Sequence, residues 1–103
     1  MVQKLARMFL QGLPEQLAEL RNASTQRDDR ALARMAHMLK GAIANFGTGP
    51  AYAAASRLEQ SARKSEWIEI ASAQLEFDKQ LDKLVGELEA YLDQDSRKGK
   101  AAS

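Results

Sequence analysis

The sequence predicts an all-α fold, namely an antiparallel four-helix bundle with a short extra helix at the amino terminus. The 103 residues are rich in Ala, Leu, Glu, Gln, Lys and Arg, which favour helices, whereas Val, Thr, Tyr and Phe are scarce. Large apolar residues recur at steps of three and four, the spacing of a buried helical stripe. The length is that of one domain, which we expect to span 1–93. A disordered polar tail is expected at 94–103, where no large apolar residue occurs.

Two helices are predicted in the first quarter of the chain. Apolar residues between Val2 and Phe9 are spaced for a short first helix. A break is expected near Pro14, because proline is tolerated in the first turn of a helix and disrupts a helix interior. A second helix is therefore predicted at about 13–25, with leucines on its buried face. These leucines are Leu13, Leu17 and Leu20.

The third predicted helix carries the single histidine of the chain. Asp28 or Asp29 is suited to cap its start, the helix continues to Phe46, and Gly47 supplies a left-handed stop. Its apolar residues form one narrow stripe that faces the core. The stripe consists of Leu32, Met35, Leu39, Ala42, Ile43 and Phe46.

Two further helices complete the predicted bundle. Pro50 fits the first turn of a fourth helix, whose buried stripe is mostly alanine and so permits close approach to the third helix. That stripe consists of Ala51, Ala54, Ala55, Leu58 and Ala62. Ser65 is expected to cap a last helix from about Glu66 to Asp93. Its apolar stripe consists of Ile70, Ala73, Phe77, Leu81, Leu84, Leu88 and Tyr91.

The single histidine of the chain, His37, is predicted to face water. At about 100° per residue it projects roughly 160° away from the centre of the apolar stripe of the third helix. The small residues Ala33, Gly41 and Ala44 are expected to share its face, and Lys40 lies beside it at i+3. The imidazole is therefore expected to be exposed among small side chains, with one cation close enough to act on a group bound to it.

The composition excludes several classes of function. The absence of cysteine removes disulfides and thiolate sites, and one histidine cannot build the usual zinc or copper site. No glycine-rich loop follows a strand, so the common nucleotide pockets are missing and the chain has no means of using ATP itself. We expect it to bind no metal and no cofactor, and not to be an enzyme in its own right.

The charge and hydropathy of the chain limit its location and partners. A net charge of +1 argues against nucleic acid as the main partner. No apolar run approaches the roughly 20 residues that a membrane span needs, so we expect a cytoplasmic chain without direct membrane contact.

Nucleophilic phosphoryl transfer is the chemistry that these exclusions leave for His37. An imidazole is largely neutral at physiological pH, so a ring nitrogen is free to attack an activated phosphoryl group. Lys40 offers a cation to the phosphoryl oxygens, and Gly41 lets the backbone of a partner approach. The alternative at this point is an ordinary surface histidine on an amphipathic helix.

The residues around His37 resemble the signature of histidine phosphotransfer (HPt) domains of multistep phosphorelays. The resemblance lies in the run from Ala36 to Gly41, with Gly47 ten positions after the histidine. It extends over about ninety residues, through both flanking regions. The flanking matches are Phe9, Leu13-Pro14, Leu17, the run 31–36, Leu58-Glu59 and Ala62-Arg63.

The resemblance implies a specific reaction and a role for each site residue. His37 would accept a phosphoryl group on Nε2 from a receiver-domain aspartate and pass it to the aspartate of a second receiver. Lys40 would stabilise the phosphoryl charge, Gly41 would give the receiver room, and Glu59 would hydrogen-bond the imidazole at Nδ1. The Mg²⁺ that the reaction requires would belong to the receiver.

The resemblance also implies the partners, which are response-regulator receiver domains and, in addition, a sensor histidine kinase. It leaves open whether the chain is a free-standing carrier or the carboxy-terminal module of a hybrid sensor histidine kinase, in which case it would be the cytoplasmic part of a membrane-bound protein. We expect a monomer. Arg27, Arg30 and Arg34 are expected to project to the side of His37, where a basic rim attracts an acidic partner. With Ala33 and Ala44, Arg30 and Arg34 form the predicted partner-binding surface.

Three interpretations remain at the level of the sequence. The first is the phosphocarrier, and the second is a helical module that binds receiver or other signalling domains through the His37 face without being phosphorylated. The third is a purely structural bundle. A basic helix face that is simply solvated would fit the last of these.

Overall fold

The computed structural model describes the backbone of residues 2–102 and the side chains of residues 3–94. Over these residues the chain forms four α-helices without a strand, so the predicted all-α bundle is confirmed. A 3₁₀ turn follows the second helix. The elements are α1 (Val2–Thr25), α2 (Asp29–Ile43), the 3₁₀ turn (Ala44–Phe46), α3 (Pro50–Arg63) and α4 (Trp67–Ala102). Short connections of three to six residues between successive α-helices make neighbouring helices antiparallel.

The predicted extra helix at the amino terminus is wrong, because α1 continues without interruption through Pro14. A proline inside a helix removes one backbone hydrogen bond and is unfavourable in isolation. Here one buried stripe runs along the whole of α1 on both sides of the proline. The stripe consists of Ala6, Phe9, Leu13, Leu20 and Ala23. Since both halves pack on the same core, their burial holds the helix together across Pro14, which itself is exposed.

The start of α2 follows the predicted signal, whereas its α-helical part ends three residues earlier than predicted. The Asp28 side chain caps the helix by accepting a hydrogen bond from the backbone N–H of Ala31 at 3.1 Å. The last residues predicted to be α-helical, through Phe46, form the 3₁₀ turn instead. Gly47 ends this turn at φ 128°, a conformation that L side chains rarely adopt.

The last helix differs from the prediction at both ends. It begins at Trp67, and the hydroxyl of Ser65 donates a hydrogen bond to Asp29, which links the α3–α4 connection to the start of α2. Its backbone continues past Asp93 to Ala102, since no proline interrupts the segment. The side chains at 95–103 lie outside the described residues, so the disordered polar tail at 94–103 stays a prediction.

Close packing of α2 on α3 positions the site. These two helices form the most extensive interhelical contact of the bundle. Alanines lie buried on both of them, and small side chains let helix backbones approach each other. The buried alanines are Ala33, Ala36, Ala51, Ala54, Ala55 and Ala62. The rest of the core is filled by larger side chains, among which Phe77, Leu20, Leu32, Leu39, Ile43, Leu58 and Ile70 are fully buried.

Candidate functional site

His37 lies on the solvent side of α2, as the helical projection predicts. The neighbouring Ala36 and Leu39 are buried and hold α2 against the core. The imidazole is 64% exposed. A reactive ring nitrogen is therefore accessible to a partner without any opening of the bundle.

Glu59 reaches His37 from α3. Its neighbours Ala55, Leu58 and Ala62 are buried, and the Glu59 side chain is itself only 6% exposed. Glu59 Oε2 lies 3.0 Å from His37 Nδ1. Because a carboxylate only accepts hydrogen bonds, this contact requires the proton on Nδ1. A neutral imidazole in this tautomer keeps the lone pair of Nε2 free.

Two cations hold the buried carboxylate. Arg63, one turn further along α3, donates to Glu59 Oε2 from Nε at 3.1 Å and from Nη2 at 2.7 Å. Lys40 Nζ lies 2.7 Å from the other oxygen, Oε1. This contact is a close ion pair between two oppositely charged groups. Lys40 thus bridges α2 to α3 beside the histidine.

The surroundings of Glu59 keep its carboxylate ionised. Burial raises the pKa, but the contact with Lys40, the hydrogen bond from Arg63, the charge of Lys40 and the bond with His37 together outweigh it. The net effect lowers the pKa of Glu59 from 4.5 to about 2. The hydrogen-bond acceptor for His37 Nδ1 is therefore present throughout the physiological pH range.

The predicted small residues around His37 divide into two groups. Gly41 and Ala44 are exposed on the His37 side of α2 and its 3₁₀ turn, as expected. The expectation that Ala33 shares this exposed face is wrong, because Ala33 is only 8% exposed. The close approach of α3 covers it, and Ala33 forms part of a shallow groove together with Ala62.

Two of the three arginines that were predicted to form a basic rim lie together in one groove, and the third lies elsewhere. Arg30 and Arg34 are exposed and line the groove that contains Ala33, where Arg63 joins them from α3. Arg27 lies elsewhere, because it precedes α2 in a left-handed conformation at φ 54°. Its guanidinium lies 5.1 Å from the ring centroid of Trp67, a cation–π contact at the end of the bundle.

The sequence pattern indicates no role for Arg63. The signal was present, since Glu59 and Arg63 are spaced i, i+4 on one helix, where opposite charges attract. That spacing is common on solvated helices and did not indicate that Glu59 is buried. Among the described residues, no group of His, Asp and Glu side chains is arranged to hold a metal ion.

Comparison with known proteins identifies a family for the chain. The family model of the Hpt domain matches residues 4–95, which is most of the chain. No curated protein and no solved structure matches the chain. Within the described residues, no helix combines the length and the apolar character needed to cross a bilayer. A match that takes in all four helices and the exposed His37 shows that the chain belongs to the Hpt domain family, whose members carry phosphoryl groups on histidine in two-component phosphorelays and interact with receiver domains.

Proposed function

We propose that His37 accepts a phosphoryl group on Nε2 from a receiver-domain aspartate and passes it to the aspartate of another receiver. The observation that carries the proposal is the exposed imidazole whose Nδ1 is held by the buried Glu59. This contact orients the ring and leaves Nε2 as the nucleophile. The bundle contributes a positioned nucleophile, and the donor contributes the activated phosphoryl group.

The proposed reaction needs little covalent machinery from the chain. The Nε2 lone pair of His37 attacks phosphorus, the bond between phosphorus and the aspartyl oxygen breaks, and the electron pair returns to the aspartate carboxylate. The positive charge that develops on the imidazole is stabilised by Glu59 through Nδ1–H. Transfer to a second receiver is the reverse of these steps. The Mg²⁺ for both directions would be held by the receiver.

The surface around His37 is suited to an acidic partner. Lys40 lies one turn from His37 and supplies a cation for the phosphoryl oxygens. Arg30 and Arg34 extend positive charge along the groove beside it, which would attract an acidic receiver pocket and speed association. Such a carrier would work as a cytoplasmic monomer, either free-standing or as a module of a hybrid sensor kinase. In the second case, the kinase would be the source of the phosphoryl group that a receiver passes to His37.

Transfer from a phosphorylated receiver tests the proposal. The chain is incubated with a receiver domain that carries radioactive phosphate, and the expected result is label on this chain that is lost in acid and retained in base, as for phosphohistidine. Label with the opposite stability would contradict the proposal. Receiver binding without label, unaffected by His37→Ala, would instead favour a docking module that is not phosphorylated.

Gly41 provides a second, independent check on the docking surface. A Cβ atom at Gly41 would meet nothing within 4 Å, so the fold itself has no steric need for glycine there. Gly41→Ala is expected to raise the free energy of unfolding by about 0.5–1 kcal/mol, because glycine is a poor helix former. We expect the same variant to slow phosphoryl transfer, since the added methyl group occupies space that a receiver needs.

Gly86 offers a matched control for this prediction. It is an exposed glycine in α4 with equally open space around its Cα. Gly86→Ala should stabilise the chain by a similar amount in urea unfolding and leave transfer unchanged. Equal transfer rates for the two variants would show that the receiver does not approach at Gly41.

A further inference from the structure

The carboxylate of Glu59 is held by more cations than it needs. Lys40 contacts Oε1, whereas Arg63 and His37 both contact Oε2. With a neutral imidazole, one buried negative charge is matched by two positive charges. The site of the unphosphorylated chain therefore has one positive charge more than the Glu59 carboxylate neutralises, and this charge lies close to the nucleophile.

The two cations are bound to Glu59 in different ways. Arg63 places two N–H groups on Oε2 and lies on the same helix as Glu59, so its contact is fixed by local helix geometry. Lys40 comes from α2, on a flexible four-carbon stem, and contacts the carboxylate at Oε1 through a single ammonium group. Lys40 is thus the cation that leaves Glu59 more readily.

Departure of Lys40 is feasible only if Glu59 keeps another counter-ion. The carboxylate is 6% exposed, and an unpaired buried charge is strongly unfavourable. With Arg63 in place, Glu59 retains two charge-assisted hydrogen bonds and the contact with His37 after Lys40 has moved. Without Arg63, the same movement would leave the carboxylate with the imidazole alone.

We infer that Arg63 is the permanent counter-ion of Glu59 that allows Lys40 to move from Glu59 to the phosphoryl group on His37. This inference rests on the proposed function. As the bond between Nε2 and phosphorus forms and the aspartyl oxygen leaves, the transferred group brings negative charge to the position next to Lys40. The ammonium group then exchanges one anion for another, and no covalent bond of Lys40, Arg63 or Glu59 changes. Arg63 is a positioning residue that acts through Lys40.

Arg63→Gln in the full chain tests the inference. We expect the rate of phosphoryl acceptance from a phosphorylated receiver to fall by about tenfold or more, because the variant loses the charge of Arg63 and both of its hydrogen bonds to Glu59. Arg63→Lys should recover most of the rate because the charge is kept. Arg57→Gln is the matched control, since Arg57 lies on the same helix but pairs with Glu69 of α4. The control rate should stay within about twofold of the wild type.

A double-mutant cycle separates action through Lys40 from a general structural effect. If Arg63 acts by releasing Lys40, then Arg63→Gln should have little further effect in a Lys40→Gln background. Fully additive losses would overturn the inference, as would an unchanged rate for Arg63→Gln alone. Since the Arg63 side chain is 62% exposed, the variant is expected to fold, which a thermal melt checks. Absence of label on the wild-type chain would overturn the proposed function and this inference together, whereas a labelled wild type with an unaffected Arg63→Gln overturns the inference alone.

Discussion

Replacing His37 with glutamine is expected to abolish phosphoryl transfer to this chain completely. The amide nitrogen of glutamine is not nucleophilic, and this chain has no second histidine to take over. The measurement is the transfer of radioactive phosphate from a phosphorylated receiver to wild-type chain and to His37→Gln, side by side. We expect label on the wild type and a signal at background level for the variant.

The loss should be chemical and not structural. The imidazole is 64% exposed and makes one hydrogen bond to Glu59, so the substitution should change the free energy of unfolding by about 1 kcal/mol or less. Urea unfolding of both proteins checks this, and receiver binding should persist in the variant. Label that remains on His37→Gln would show that another residue is phosphorylated, and it would refute the assignment of this site.

Glu59 is expected to make the free energy of unfolding of the chain depend on pH in the acidic range. Its pKa in the folded chain is about 2, against 4.5 for an unperturbed glutamate. A carboxyl group whose pKa falls on folding stabilises the folded state above its unfolded pKa, and the stabilisation disappears as pH falls through the folded pKa. The contribution of Glu59 should therefore be complete above about pH 5 and lost towards pH 2. Its expected size is about 3 kcal/mol.

The measurement is the difference in free energy of unfolding between wild-type chain and Glu59→Gln at several pH values. Glutamine keeps the size and a hydrogen-bond acceptor but cannot titrate or neutralise Lys40 and Arg63. The wild type should be the more stable protein near pH 7, and the gap should shrink as the pH is lowered. The other carboxylates titrate in both proteins and cancel in the difference. A gap that does not change with pH would show that folding does not lower the pKa of Glu59.

Most of the helices were predictable because helix formation depends on short-range signals. The step of three and four residues, the Asp28 cap and the stop at Gly47 all act within a few residues along the chain. Pro14 shows where this reasoning failed. Its local effect favours a break, but buried residues on both sides of it pack on one core and keep α1 continuous.

The candidate site was also predictable only in part. The exposure of His37 followed from helical projection, and its meeting with Glu59 was expected only from the resemblance to HPt domains. Arg63 was not predicted, because nothing in its spacing shows that its partner carboxylate is buried. Ala33 was expected on the exposed face, although the neighbouring helix covers it.

Periodicity along the chain was sufficient to predict the all-α class, the approximate positions of the last three helices and the side of its helix on which His37 lies. These properties repeat every 3.6 residues and need no knowledge of other helices. The burial of Glu59 and its contacts with both Lys40 and Arg63 depend on how the helices pack, which no short-range pattern contains. The reason is distance, because alanines on both surfaces let α3 approach α2 closely enough for a carboxylate from one helix to reach the imidazole and ammonium groups of the other.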